Sequence, residues 1–185
     1  VPSHLALLRG INVGGRNRVA MEDLRKLVGD LGYADVSTYI QSGNVLFSAA
    51  GADTGAIARE LGAALDERLG VKATVVVLTR AELSDVVEGN PFSTDLDPKR
   101  VHALIHQELL AADTEEAIAR ARELAADRAS RDKAVPAGRT IYLHTPEGFG
   151  RSDLAARLTR PSGPAAAGTA RNWATVTKLM ELLAA

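Results

Sequence analysis

Apolar positions along this chain recur with two spacings, and the switches between them lay out the elements. A short apolar run at residues 4–8 predicts a strand. Met21, Leu24, Leu27, Val28 and Leu31 then recur at intervals of three and four, the stripe of a helix over residues 21–31 that stops at Gly32. Residues 36–40 and 45–47 are β-branched and aromatic, as strands prefer, around the turn Gln41-Ser42-Gly43-Asn44. A second amphipathic helix is predicted over residues 54–69, closed by Gly70, and a buried strand over residues 72–78. Thr79 and Glu82 have capping-box spacing, so a short helix with Leu83, Val86 and Val87 inward follows, stopped at Asn90-Pro91-Phe92.

The remainder repeats that order. Residues 101–105 read as a strand, and Asp113 is placed to cap a helix carrying Ile118, Ala121 and Leu124. Residues 133–135 and 140–143 flank a turn at Pro136-Ala137-Gly138-Arg139, and a brief helix covers residues 152–158. A weak, Ala-rich strand is expected near residues 165–169, and Asn172 caps a last helix with Val176, Leu179, Met180 and Leu183 on one face. Strand–helix–strand–strand–helix–strand is the split βαβ arrangement. The expected fold is therefore α+β: two ferredoxin-like halves, residues 1–90 and 91–185, in a pseudo-duplicated arrangement of antiparallel sheets with helices packed on one face. One compact unit or a single continuous sheet is the alternative, and the kinship of the halves rests on element order alone.

Composition narrows the chemistry. The 185 residues are 46% hydrophobic but only 4% aromatic, so the core must be built from Leu, Val, Ile and Ala. There is no cysteine, which removes disulfides, thiolate nucleophiles and zinc–thiolate sites together. No apolar run has membrane-spanning length, so a soluble, cytoplasmic protein without membrane association is expected. Net charge is −1, which gives no global pull toward polyanions. Its distribution is uneven: residues 1–21 hold Arg9, Arg16 and Arg18 without an acid, and residues 154–180 hold Arg157, Arg160, Arg171 and Lys178 without one.

Residues 9–18, Arg-Gly-Ile-Asn-Val-Gly-Gly-Arg-Asn-Arg, carry most of the candidate chemistry. Gly14 and Gly15 open backbone conformations in which N–H groups converge on an anion, and Arg9, Arg16 and Arg18 can grip a carboxylate or phosphate. The spacing is neither that of a Walker loop nor that of a dinucleotide fingerprint. Asn12, Gln41, Ser42 and Asn44 could orient the same ligand. Gly148-Phe149-Gly150-Arg151-Ser152 repeats the anion-site logic before another helix, and Arg171 and Asn172 form a third polar segment. His102 and His106 are four apart on a predicted strand with no third ligand nearby, so neither a metal nor a cofactor is expected. No residues mark a nucleophile and its base, which leaves open whether the protein is an enzyme.

Leu7-Leu8-Arg9-Gly10-Ile11-Asn12-Val13-Gly14-Gly15, Tyr39-Ile40-Gln41-Ser42-Gly43-Asn44-Val45, Asn90-Pro91-Phe92, Gly148-Phe149-Gly150-Arg151-Ser152 and Thr169-Ala170-Arg171-Asn172-Trp173 together resemble the motifs of the domain-of-unknown-function 1697 family, in order. The last motif carries Ala170 and Ala174 where the family pattern has threonine and asparagine. The resemblance implies a bacterial, cytosolic protein with a duplicated ferredoxin-like fold and no established activity. It also favours the loop, the turn and the Arg171-Asn172 segment serving together. Three readings follow: a site for an anionic small molecule, a nucleotide or phosphorylated metabolite; a nucleic-acid-binding protein; or a structural or protein-partner module.

Overall fold

The computed structural model describes residues 1–51, 53–126 and 131–185, and the chain divides into two compact units. The first comprises Val1–Ser84 with Lys178–Ala185, the second Asp85–Thr177. The elements of the first are β1 (His4–Arg9), α1 (Met21–Asp30), β2 (Ala34–Tyr39), β3 (Asn44–Ser48), α2 (Thr54–Leu69) and β4 (Thr74–Thr79), followed by α3 (Arg80–Glu88). The second repeats this series with β5 (Val101–Ile105), α4 (Thr114–Leu124), β6 (Lys133–Ala137), β7 (Thr140–His144), α5 (Asp153–Thr159), β8 (Thr169–Asn172) and α6 (Trp173–Ala184). The strand orders are β2-β3-β1-β4 and β6-β7-β5-β8, the same permutation, with every neighbour antiparallel. Each unit is thus a ferredoxin-like βαββαβ followed by one further helix, and the fold is α+β with two similar halves.

The pleat explains which residues make the first core. Ala6 and Leu8 on β1, Val45 and Phe47 on β3 and Val77 on β4 share one face and pack with Leu24, Leu27 and Val28 of α1 and Ile57, Leu61 and Leu65 of α2. Leu5, Leu7, Leu46, Val76 and Leu78, on the opposite face, are buried as well. In the second unit Leu104, Ile141 and Leu143 meet Ile118 and Ala121 of α4 and Leu154 and Leu158 of α5.

Local signals act as their chemistry requires. The Asp53 carboxylate accepts the Ala56 N–H at 2.9 Å to start α2, and Gly70 ends it at φ 64°. The capping box ahead of α3 closes reciprocally: the Thr79 N–H donates to Glu82 at 2.8 Å and the Glu82 N–H to Thr79 Oγ1 at 3.2 Å. Asn172 Oδ1 accepts the Thr175 N–H at 2.9 Å, the cap expected of it.

Four expectations need correction. The eighth strand is Thr169–Asn172 rather than residues 165–169: the Ala165 N–H turns back to the Leu158 carbonyl at 2.9 Å and leaves the ladder. Ile40 lies beyond the end of β2, in the turn, at φ 50°. Asp113 precedes α4 without a side-chain cap bond, while the Thr114 hydroxyl donates to the Ala111 carbonyl at 2.7 Å. The last helix does not belong wholly to the second half, since its final residues fall in the first unit, where Arg80 donates to the Leu183 carbonyl.

Candidate functional site

The loop between β1 and α1 is more ordered than its glycine content suggests. Val13 and Arg16 form an antiparallel bridge, with the Arg16 N–H donating to the Val13 carbonyl at 3.0 Å. Gly14 and Gly15 between them stand at φ 58° and 75°, the pair of positive values that a two-residue primed turn demands. The loop is therefore a miniature hairpin. Asn12 and Asn17 hold its base: the Asn12 N–H donates to the Asn17 carbonyl at 3.0 Å, and Asn17 Nδ2 to the Gly10 carbonyl at 2.8 Å. Both stand at positive φ, 52° and 49°, which asparagine tolerates better than most residues.

The side chain of Asn12 does more. Its Oδ1 accepts the Val19 N–H at 2.8 Å, and its Nδ2 donates to the Val19 carbonyl at 3.0 Å and the Gln41 carbonyl at 3.2 Å. One amide thus ties the loop to the β2–β3 turn. A main-chain bond from Leu8 to the Gly43 carbonyl at 2.9 Å adds to that tie. The two segments bound an open hollow of about 530 Å³ lined by Asn12, Gly15, Arg18, Val19, Ala20 and Gln41.

Arg16 and Arg18 are exposed, and among the described residues neither guanidinium has a hydrogen bond or a carboxylate partner. Arg18 crosses the primed turn, where a Cβ on Gly15 would sit 3.9 Å from its Nη2. Ala20 is the N-cap of α1 and has no side-chain group that could bond its leading N–H donors. Glu22 and Asp23 in the first turn already complement that helix end, so the cationic groups at the hollow are Arg18, which lines it, and Arg16 in the adjoining turn.

The structure brings together Asn12, Gly15, Arg18 and Gln41 from the sequence candidates. Gly14 and Arg16 stand beside them in the primed turn. Arg9 ends β1 opposite Thr74. Ser42 is exposed in the turn and accepts from Asn44 Nδ2 at 3.0 Å. Asn44 is fully buried and also donates to the Tyr39 carbonyl at 3.0 Å, so its amide braces the hairpin. Sequence reasoning passed over Val13, Val19, Ala20 and Ile40; the Gly-Gly hairpin signal after Val13 could have exposed the first of these.

Arg171 and Asn172 belong to the second unit. Arg171 is buried in β8, with Nη1 donating to Thr169 Oγ1 at 2.7 Å and to the Ala170 carbonyl at 2.8 Å. Burial pushes its guanidinium down to about 10, still charged at neutral pH. Asn172 caps α6, and Trp173 stacks at a tilt near Tyr142 with ring centroids 6.3 Å apart. The glycine segment at residues 148–152 is similarly committed: Ser152 Oγ accepts the Ala155 N–H at 2.9 Å and donates to Asp132 at 2.7 Å. The Phe149 and His102 rings lie with their centroids 4.4 Å apart, and burial pushes the His102 pKa down to about 4. The C-terminal basic stretch is also partly neutralised locally, by Arg157–Asp153 at 2.8 Å and Lys178–Glu181 at 3.1 Å.

The fold and this hollow define a protein of two ferredoxin-like units with one basic loop–turn edge in the first. The chain belongs to the family described as protein of unknown function (DUF1697), whose pattern matches residues 1–142. It is also similar to a solved structure of a conserved bacterial protein from Streptococcus pneumoniae, at 24% identity over 98% of each chain with a TM-score of 0.77. No curated protein sequence matches it. Among the described residues no helix is long and apolar enough to cross a membrane.

Proposed function

We propose that the first unit binds a phosphate-bearing small molecule, of the nucleotide or phosphorylated-metabolite class, in the hollow between the primed turn and the β2–β3 turn. The observation that carries this reading is the pair Arg16 and Arg18, exposed and without carboxylate partners among the described residues, beside a hollow framed by polar groups. A guanidinium presents a planar fork of N–H donors that matches phosphate oxygens, and the Gly14-Gly15 backbone leaves room for close approach. Asn12 and Asn44 serve indirectly, since their amides hold the loop and the turn in place. A nucleic-acid role would draw on the same arginines, but the exposed large hydrophobics among the described residues are all aliphatic, and Tyr39 beside the turn is only partly exposed, which leaves bases little aromatic surface to stack on.

The test is thermal stabilisation. A phosphate compound at a hundred times its Kd should stabilise the parent by about 2.7 kcal/mol, and R16A/R18A should lose that gain. Absence of stabilisation of the parent by inorganic phosphate, nucleotides and sugar phosphates alike overturns the proposal.

A further inference from the structure

We infer that the basic loop–turn edge of the first unit docks on an anionic phospholipid surface, so that the phosphate it takes is a lipid headgroup. This rests on the reading of the arginine hollow as a phosphate site and adds what carries the phosphate.

The added observation is a pair of exposed aliphatic side chains. Val13 is 65% exposed and Ile40 is 51% exposed. Each is the chain neighbour of a residue in the Asn12–Gln41 bond, so the amide that joins the two turns also brings these two residues to one edge. Val13 flanks the primed turn that carries Arg16, and Ile40 opens the β2–β3 turn at φ 50°. A single apolar residue in water needs no explanation. A β-branched residue held both in water and at a left-handed backbone angle is disfavoured twice, and asparagine or glycine would avoid both costs. The geometry therefore keeps an aliphatic group at the edge against local preference.

A bilayer offers apolar chains beneath a layer of phosphates, and this edge offers aliphatic tips beside guanidiniums. Charge supports the match: Arg16 and Arg18 stand at this edge without carboxylate partners among the described residues, with Glu22 and Asp23 set against the start of α1, although the chain as a whole carries −1. Anionic headgroups attract such a local cluster whatever the net charge of the rest, within about one Debye length. A nucleic acid would supply the phosphates but would leave Val13 and Ile40 in water.

Co-sedimentation of the full chain with phosphatidylcholine vesicles, with and without phosphatidylglycerol, tests this. Binding should require the anionic lipid and weaken with salt. Replacing both arginines in R16A/R18A should reduce partitioning about 25-fold, at about fivefold per charge. V13S/I40N should reduce it by about tenfold or more, yet keep any stabilisation by soluble glycerol phosphate. Asparagine accepts the backbone angle of Ile40 and Val13 is exposed, so both substitutions are compatible with the fold. As a second readout, Val13→Trp should gain emission that brominated lipid quenches. Stabilisation by glycerol phosphate without vesicle binding overturns the lipid inference and leaves the phosphate site standing. Failure of both removes both. Vesicle binding indifferent to V13S/I40N, or tighter binding to single-stranded RNA than to vesicles, also overturns it.

Discussion

The side-chain amide of Asn12 donates to the main-chain carbonyl of Gln41 at 3.2 Å, across 29 residues of sequence, and so locks the loop after β1 to the β2–β3 turn. The same side chain bonds both main-chain groups of Val19. An aspartate would keep the acceptor and lose both donors; an alanine would lose everything. Asn12→Ala should therefore destabilise the first unit by about 2–3 kcal/mol, counting lost bonds and a non-asparagine residue at φ 52°. Urea unfolding measures this, and faster hydrogen exchange at the Val19 amide localises it. An unchanged midpoint would mean that water replaces the amide at no cost.

Ile40 provides the opposite sign. Asparagine at φ 50° relieves about 0.5–1.5 kcal/mol of backbone strain while giving up a side chain that is half in water. Ile40→Asn should raise the thermal midpoint. A lower midpoint would show that the Ile40 side chain packs more than its exposure suggests.

Gly43 and Gly14 separate conformational from steric cost. Both stand at positive φ, 78° and 58°. A Cβ on Gly43 would lie 2.9 Å from the Leu8 Cβ and 3.0 Å from the Ile11 Cδ1, whereas one on Gly14 meets nothing within 4 Å. Gly14→Ala should cost about 1–2 kcal/mol from the backbone alone. Gly43→Ala should cost about 1–3 kcal/mol more, because Leu8 and Ile11 are core residues that must shift. Equal losses in denaturant titrations would disprove the steric part.

His102 links the second unit to pH. Burial pushes its pKa down to about 4 from 6.5, so the folded state holds the neutral ring. The stability from this group is intact above pH 6.5 and falls as pH drops toward 4, because the unfolded chain takes up the proton first. The loss amounts to about 2 kcal/mol after allowance for screening at a half-buried ring. His4 and His144 are also lowered, chiefly by desolvation, and add slope of the same sign. Proton NMR at pH 5.5 should show His102 still neutral, and a titration midpoint near 6.5 would refute the assignment.

Strong periodic signals were legible and weak ones were not. Thr54–Leu69 and Val101–Ile105 match the expected helix and strand to the residue, because a buried stripe and a short, mostly apolar run between polar flanks each leave one consistent placement. The eighth strand lies at Thr169–Asn172 and not at residues 165–169, because the small residues around Ala165–Ala167 carry no period and Arg171 reads as a surface residue. Burial of Arg171 among Thr169 and the Ala170 carbonyl depends on the sheet register, which lies outside its local sequence. The candidate site behaved likewise: the glycines and arginines were visible, but Ile40 looked like the end of a strand.

By itself the sequence determined the α+β class, the order shared by the two halves and the presence of an acid-free arginine loop, since periodicity, turn residues and formal charge are all local properties. Tertiary structure decided which polar groups are already spent. A hydrogen bond between distant segments consumes Asn12, the fold of the β2–β3 hairpin takes up Asn44, and burial encloses Arg171, while Arg16 and Arg18 stay at the surface beside Val13. That outcome depends on how strands and turns pair across the fold, and each side chain acts on whatever that pairing places within its reach.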